Sequence, residues 1–122
     1  MSRHTSCSDR LKHVLRFIFE LPEGQASLLP VASCLVVKSS DPDALKDSKG
    51  KPIIRPYTPI SSPEKEGELE LLVKKYDNGN VSKHIHSLKP GESLSIKGPF
   101  PKWDYKINEF DEVGLIGGGS GM

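Results

Sequence analysis

An all-β fold, a small antiparallel barrel or sandwich with one short helix inserted, is what the sequence predicts, and three observations carry it. Short segments of alternating apolar and polar residues recur along the chain, turn residues separate them, and a single stretch switches to helical spacing. At 122 residues the chain is also long enough to bury one core without metal or disulfide staples.

Taken in order, the first ten residues are polar and no strand pattern is legible ahead of Leu11. Residues 13–21 (HVLRFIFEL) read as a strand with Val14, Phe17, Phe19 and Leu21 largely on one side and Arg16 and Glu20 on the other, ended by Pro22 and Gly24. Residues 31–37 (VASCLVV) form a second apolar, β-branched run, and the hydrophilic stretch 39–52 is a surface loop or hairpin tip. Within residues 53–61, the run 54–59 should be a stiff, edge-like strand, because Pro56 and Pro59 preset φ, remove backbone donors and push the residues before them towards extended geometry. After a turn at 62–67, residues 68–76 (ELELLVKKY) resume the alternation until Asp77, Asn78 and Gly79 stop it.

From 81 to 88 (VSKHIHSL) the apolar residues take helical spacing, with Val81, Ile85 and Leu88 on one face, and Pro90 and Gly91 close the helix. Residues 93–97 (SLSIK) alternate again, whereas 98–106 (GPFPKWDYK) hold too much proline for a central strand. Trp103 and Tyr105 are expected to plug a barrel end, and His84 and His86 to be solvated on the polar side of the helix. Last, 112–116 (EVGLI) is a short apolar run that meets 117–121 (GGGSG). An apolar strand feeding a Gly-rich loop is how parallel α/β nucleotide-binding domains begin. Such a strand cannot bury both faces alone, so residues 1–111 are expected to be the barrel and 112–122 the start of a second domain.

Composition narrows the function classes. A net charge of +1 gives no basic field for nucleic acid or anionic lipid. Cys7 and Cys34 lack the spacing of a zinc knuckle or a redox pair and read as free thiols, and no further ligands accompany the two histidines to make a metal site. No apolar run approaches bilayer length, and no secretory signal opens the chain.

Residues 55–61 (RPYTPIS) hold more chemistry than a turn requires. A guanidinium offers a planar fork to phosphate oxygens, a tyrosine a flat face to a flat ring, and a threonine hydroxyl a hydrogen bond to a heterocycle edge. On an extended strand Arg55 and Tyr57 share a face and Thr58 points to the other. Downstream, 78–82 (NGNVS) enter the helix with free backbone N–H groups and a hydroxyl, a second phosphate-competent feature, and two such features suggest a pyrophosphate.

These residues carry a resemblance. Arg55, Tyr57, Thr58 and Ser61 match the Arg-x-Tyr-Thr-x-x-Ser flavin signature of the ferredoxin-reductase superfamily, and the surroundings resemble its NADH-cytochrome b5 reductase branch. Supporting matches are 69–76 (LELLVKKY), 79–82 (GNVS), 97–99 (KGP) and 117–121 (GGGSG), in the family's order. The resemblance implies a Greek-key antiparallel FAD-binding barrel followed by an NADH-binding α/β domain. It implies that Arg55 pairs with the FAD pyrophosphate, that Pro56 and Tyr57 pack beside the flavin, and that Thr58, the one candidate catalytic residue, hydrogen-bonds near the reactive nitrogen, with Ser61 completing the signature. It implies further that Leu72, Lys74 and Tyr76 line the cofactor, that Gly79, Asn80, Val81 and Ser82 form the phosphate loop, and that Ser120 belongs to the nucleotide-domain loop. Val81 stands where the family often has Met, which leaves the backbone contact intact. The family's first strand, expected ahead of Leu11, is absent or altered in the polar segment.

The implied activity is transfer of electrons from NADH through FAD to a haem protein such as cytochrome b5, by a monomer. Its expected place is the cytosolic face of the mitochondrial outer membrane or the endoplasmic reticulum, with an anchor preceding Met1. This stretch alone, lacking the nucleotide domain, is expected to bind FAD without being active. No side chain need act as a general acid or base, because the cofactor supplies the chemistry. The reading from another class is a non-catalytic barrel that binds oligonucleotides with Tyr57, Tyr76 and Trp103 as stacking platforms, against which the near-zero charge weighs.

Overall fold

The structure, a computed structural model, describes residues 2–4 and 13–118. The element order is β1 (Ser2–His4), β2 (Val14–Glu20), β3 (Ser33–Ser39), β4 (Arg55–Tyr57), β5 (Glu68–Lys74), α1 (Asn80–Ser87) and β6 (Leu94–Pro101). Two three-stranded antiparallel sheets result, ordered β1-β2-β5 and β4-β3-β6. The predicted all-β class with one short helix is what the chain adopts.

Alternation decides which side chains meet between the sheets. On β5 the odd positions Leu69, Leu71 and Val73 are buried, and the register Phe17↔Leu71 and Phe19↔Leu69 puts two aromatic rings beside them. Leu35 and Val37 face them from β3, and Val81, Ile85 and Leu88 close one end from the helix. Val14 is buried, yet its parity places it with Arg16 and Ile18 on the opposite face of β2 from Phe17, unlike the predicted grouping.

Several boundaries move for identifiable reasons. A strand does precede Leu11: Ser2–His4 pairs with β2 in the register Arg3↔Phe17, because backbone pairing asks nothing of the polar side chains. The 54–59 strand shrinks to Arg55–Tyr57, since Pro56 and Pro59 supply no N–H to a ladder. β3 begins at Ser33 after a turn in which Ala32 takes a left-handed φ of 57°. β6 runs on through Pro99 and Pro101, and it can do so because it is an edge strand of its sheet. The register slips by one residue there, between Cys34↔Phe100 and Val36↔Lys97, and Gly98 lies at the slip. A Cβ built on Gly98 would stand 2.6 Å from Leu35 Cδ2 and 3.3 Å from the Cys34 carbonyl oxygen, so a larger residue here would have to displace the buried Leu35 side chain.

Three further expectations change. His86 is half-buried, its Nε2 2.9 Å from the Val73 carbonyl and its ring edge-on to Phe17, and His84 Nε2 is buried. Trp103 and Tyr105 plug nothing, being 57% and 41% exposed, because the segment after β6 peels away from both sheets. Residues 112–118 form no strand among the described residues: no other chain segment pairs with them, and Leu115 and Ile116 are fully exposed. Cys34 is a buried free thiol, and Cys7 lies outside the described residues.

Candidate functional site

β4 is short, but its pairing with β3 orients it. The register Leu35↔Tyr57 and Val37↔Arg55 puts Arg55 and Tyr57 on one face of the sheet, the face that carries Leu35 and Val37 towards the core. Tyr57 packs partly against that core, while the Arg55 guanidinium stays in solvent and donates from Nη1 to the Ile54 carbonyl at 2.8 Å.

The first turn of α1 faces this strand. Gly79 is the N-cap, no side chain caps the helix, and no acidic residue occupies its first turn, so its leading N–H groups keep their pull on an anion. The turn is compact. Gly79 N–H donates to the Tyr76 carbonyl at 3.0 Å, and the buried Ser82 hydroxyl sits within 3.4 Å of both Tyr76 N–H and the Gly79 carbonyl. A Cβ on Gly79 would overlap Ser82 Oγ outright and stand 3.1 Å from Tyr76 Cβ, so close packing reserves this position for glycine.

Between β4 and this helix end opens a cleft of about 300 Å³ lined by Arg55, Pro56, Tyr57, Tyr76 and residues 78–82. Eight of the predicted site residues, Arg55, Pro56, Tyr57, Tyr76, Gly79, Asn80, Val81 and Ser82, therefore meet in one place. Asn78, the first residue of the 78–82 stretch, joins them. Leu72 and Lys74 share the exposed face of β5 with Tyr76, Lys74 Nζ lying 5.4 Å from the Tyr76 ring centre, so a continuous strip leads into the cleft. Burial pushes the Tyr57 phenol above its ordinary range, the Arg55 guanidinium opposes that and the Tyr76 ring adds to it. Tyr57 thus stays a neutral stacking surface.

Thr58 and Ser61 do not line this cleft. They flank a neighbouring cavity of about 170 Å³ with Leu29, Pro30, Val31, Ala32 and Ser33, none of which the signature foretold. The Ser61 hydroxyl accepts the Glu70 N–H at 3.1 Å, a bond that turns it towards β5. Ser120 lies outside the described residues. Trp103 lies apart from the two tyrosines of the cleft, so the three stacking platforms of the oligonucleotide reading do not form one surface. No cluster of three metal-ligating side chains occurs among the described residues.

An uncapped helix end, a guanidinium and a flat half-buried ring in one cleft fit a ligand with a pyrophosphate and an aromatic system, which is the chemistry of FAD. Comparison with known proteins agrees. The family described as "Oxidoreductase FAD-binding domain" matches residues 3–105. A protein of Mycosarcoma maydis named NADH-cytochrome b5 reductase 2 is 54% identical over 105 residues, covering 86% of this chain and 30% of that protein. One of the same name from Candida albicans is 42% identical over 123 residues, covering all of this chain and 38% of that protein. The chain thus spans about a third of the length of the curated relatives it matches. Among solved structures, the cytochrome b5 reductase domain of Ulva prolifera nitrate reductase superposes with a TM-score of 0.60 at 25% identity, over 73% of this chain and 36% of that one. With the match spanning nearly every described element, the chain belongs to the oxidoreductase FAD-binding domain family.

Proposed function

We propose that this domain holds FAD in an NADH-dependent reductase that passes electrons from NADH to a haem protein such as cytochrome b5. The observation that carries the reading is the cleft itself, in which Arg55, Tyr57 and the uncapped start of α1 converge. The relatives' shared name supports the donor and the acceptor.

When bound, FAD supplies hydride acceptance from a nicotinamide and release of electrons one at a time. The residues of this chain bind and orient. Arg55 and the N–H groups of residues 80–82 would hold the pyrophosphate through charge-assisted hydrogen bonds. Tyr57 offers its ring to the flavin, the strip of Leu72, Lys74 and Tyr76 supports the rest of the cofactor, and we assign the Thr58 hydroxyl to the flavin's reactive edge. Ser61 belongs to the same signature, and Ser120 to the loop of the nucleotide domain.

On the same reading residues 112–122 lead into the domain that positions the nicotinamide, and the bare apolar side chains of Leu115 and Ile116 support it because such surface needs a partner. The whole protein would act as a monomer at the mitochondrial outer membrane or endoplasmic reticulum. No helix among the described residues is long and apolar enough to cross a membrane, so attachment would use another segment. The test is anaerobic mixing of the FAD-loaded chain, and of the full-length protein containing it, with NADH and ferric cytochrome b5. The proposal expects the full-length protein to reduce two haems per NADH, while the domain alone is reduced by dithionite but not by NADH at about 10 per second or more. A full-length protein that oxidises no NADH with bound flavin would overturn it.

A further inference from the structure

We infer that Glu70 is a positioning residue of the flavin site, a clamp that sets where the Thr58 end of the signature stands against β5; the inference rests on the FAD reading of the cleft. Four polar groups of this one residue engage the segment that follows β4, or hold the carboxylate that does. Its carbonyl accepts the Ile60 N–H at 2.9 Å, and its N–H donates to Ser61 Oγ at 3.1 Å. One carboxylate oxygen accepts from Lys65 Nζ at 2.6 Å, and the other lies 3.1 Å from Arg16 Nε.

Strand geometry explains why these bonds fall on Glu70. β5 has β2 on one side only, so its other edge presents unpaired backbone groups. In an antiparallel ladder alternate residues turn both N–H and C=O outward, and the bonds to Ile60 and Ser61 show that Glu70 is one of them. Two residues on, Leu72 turns the same way, and its side chain shares a face with that of Glu70. The clamp therefore joins both sides of the site. Ile60 is three residues beyond Tyr57, a reach of at most about 10 Å, and Leu72 is about 6.6 Å along β5 from Glu70.

The carboxylate is not incidental to this. Glu70 is only 8% exposed, and burying an unpaired charge is costly, so its two cations are needed to keep it there. Lys65 lies in the turn directly after Ser61 and also pairs with Glu68 at 2.7 Å, so the ion pair holds down the same segment that the backbone bonds tether. The signature marks Arg55 and Tyr57; what keeps them in register with Leu72 and Tyr76 is a residue outside it.

The test uses Glu70→Gln, Lys65→Gln and the pair together, with exposed Glu64→Gln as control. Hydrogen exchange of the Ile60 amide without FAD reports the clamp, and FAD titration reports the site. Glu70→Gln and Lys65→Gln should each speed Ile60 exchange and weaken FAD by about threefold to tenfold, the worth of one ordinary to strong hydrogen bond. The double variant should weaken FAD by less than the two single effects combined, since the Lys65–Glu70 contact is common to both. Glu64→Gln should change neither. Unchanged Ile60 exchange in both single variants overturns the clamp, and faster exchange with unchanged FAD affinity overturns its role in the site. Should Glu70→Gln fail to fold, Lys65→Gln decides alone. A wild-type chain that binds no FAD removes the flavin reading and the positioning role with it, while the Ile60 measurement still reports the clamp separately.

Discussion

Replacing Arg55 by alanine separates binding from folding. The Arg55 side chain is exposed, and among the described residues its guanidinium bonds only to the carbonyl of the preceding residue and no carboxylate pairs with it. The fold therefore loses little, within about 0.5 kcal/mol for a surface change of this kind. Cofactor binding should lose much more. A charge-assisted hydrogen bond to phosphate contributes about 1.5–3 kcal/mol, which corresponds to roughly a tenfold to 150-fold weaker Kd. Arg55→Lys should recover part of the loss, because an ammonium keeps the charge without the fork. Flavin fluorescence titration gives the affinity and thermal melting without FAD gives the stability. Equal FAD affinity in wild type and Arg55→Ala would refute the assignment, and an equal fall in both quantities would show that Arg55 supports the fold rather than the ligand.

Other expected outcomes concern the scaffold. Gly98→Ala should cost about 1–3 kcal/mol by driving a methyl into Leu35, seen as a melting point lower by several degrees. Leu71→Ala, at a side chain with no exposed surface, should cost about 2–5 kcal/mol in urea unfolding. The hydrogen bond from Lys65 holds the Glu70 carboxyl below its ordinary range, so its contribution is present above the ordinary carboxylate pKa of 4.5 and is lost as pH falls through the depressed folded value. Hydrogen bonds to Glu68 and Glu70 raise Lys65 above 10.5, so its contribution holds below that pH and is lost only as pH rises through the raised folded value. The stability gap between wild type and Glu70→Gln should therefore be flat between these limits and narrow below pH 4.5.

Much of this was legible in residue order because the signals are local. Alternation at 68–76 marks β5, helical spacing of Val81, Ile85 and Leu88 marks α1, and the types packed into 55–61 mark a ligand site. What stayed hidden depends on pairing across distance. Polar Ser2–His4 forms a strand because β2 has a free edge to offer, which no pattern in those three residues reveals. β6 tolerates its prolines because it is an edge, and edge status belongs to the sheet. Trp103 has the size and type of a barrel plug, yet more than half of it stays exposed, because burial depends on what the chain packs beside it. Within the site, the Arg55 and Ser82 arms are readable as two phosphate-competent features that suggest one pyrophosphate, while the cleft that joins them depends on how β4 and α1 pack. Glu70 escaped notice because a glutamate on the polar face of a strand is ordinary until Ser61, Lys65 and Arg16 converge on it.

If Arg55, Tyr57 and the start of α1 together make a flavin site, equilibrium titration of the folded chain with FAD will show it. One FAD per chain is expected, with flavin fluorescence quenched as the ring stacks on Tyr57 and a melting temperature that climbs with FAD concentration because only the folded state binds. A folded chain that leaves both FAD fluorescence and its own melting temperature unchanged at saturating cofactor would contradict it.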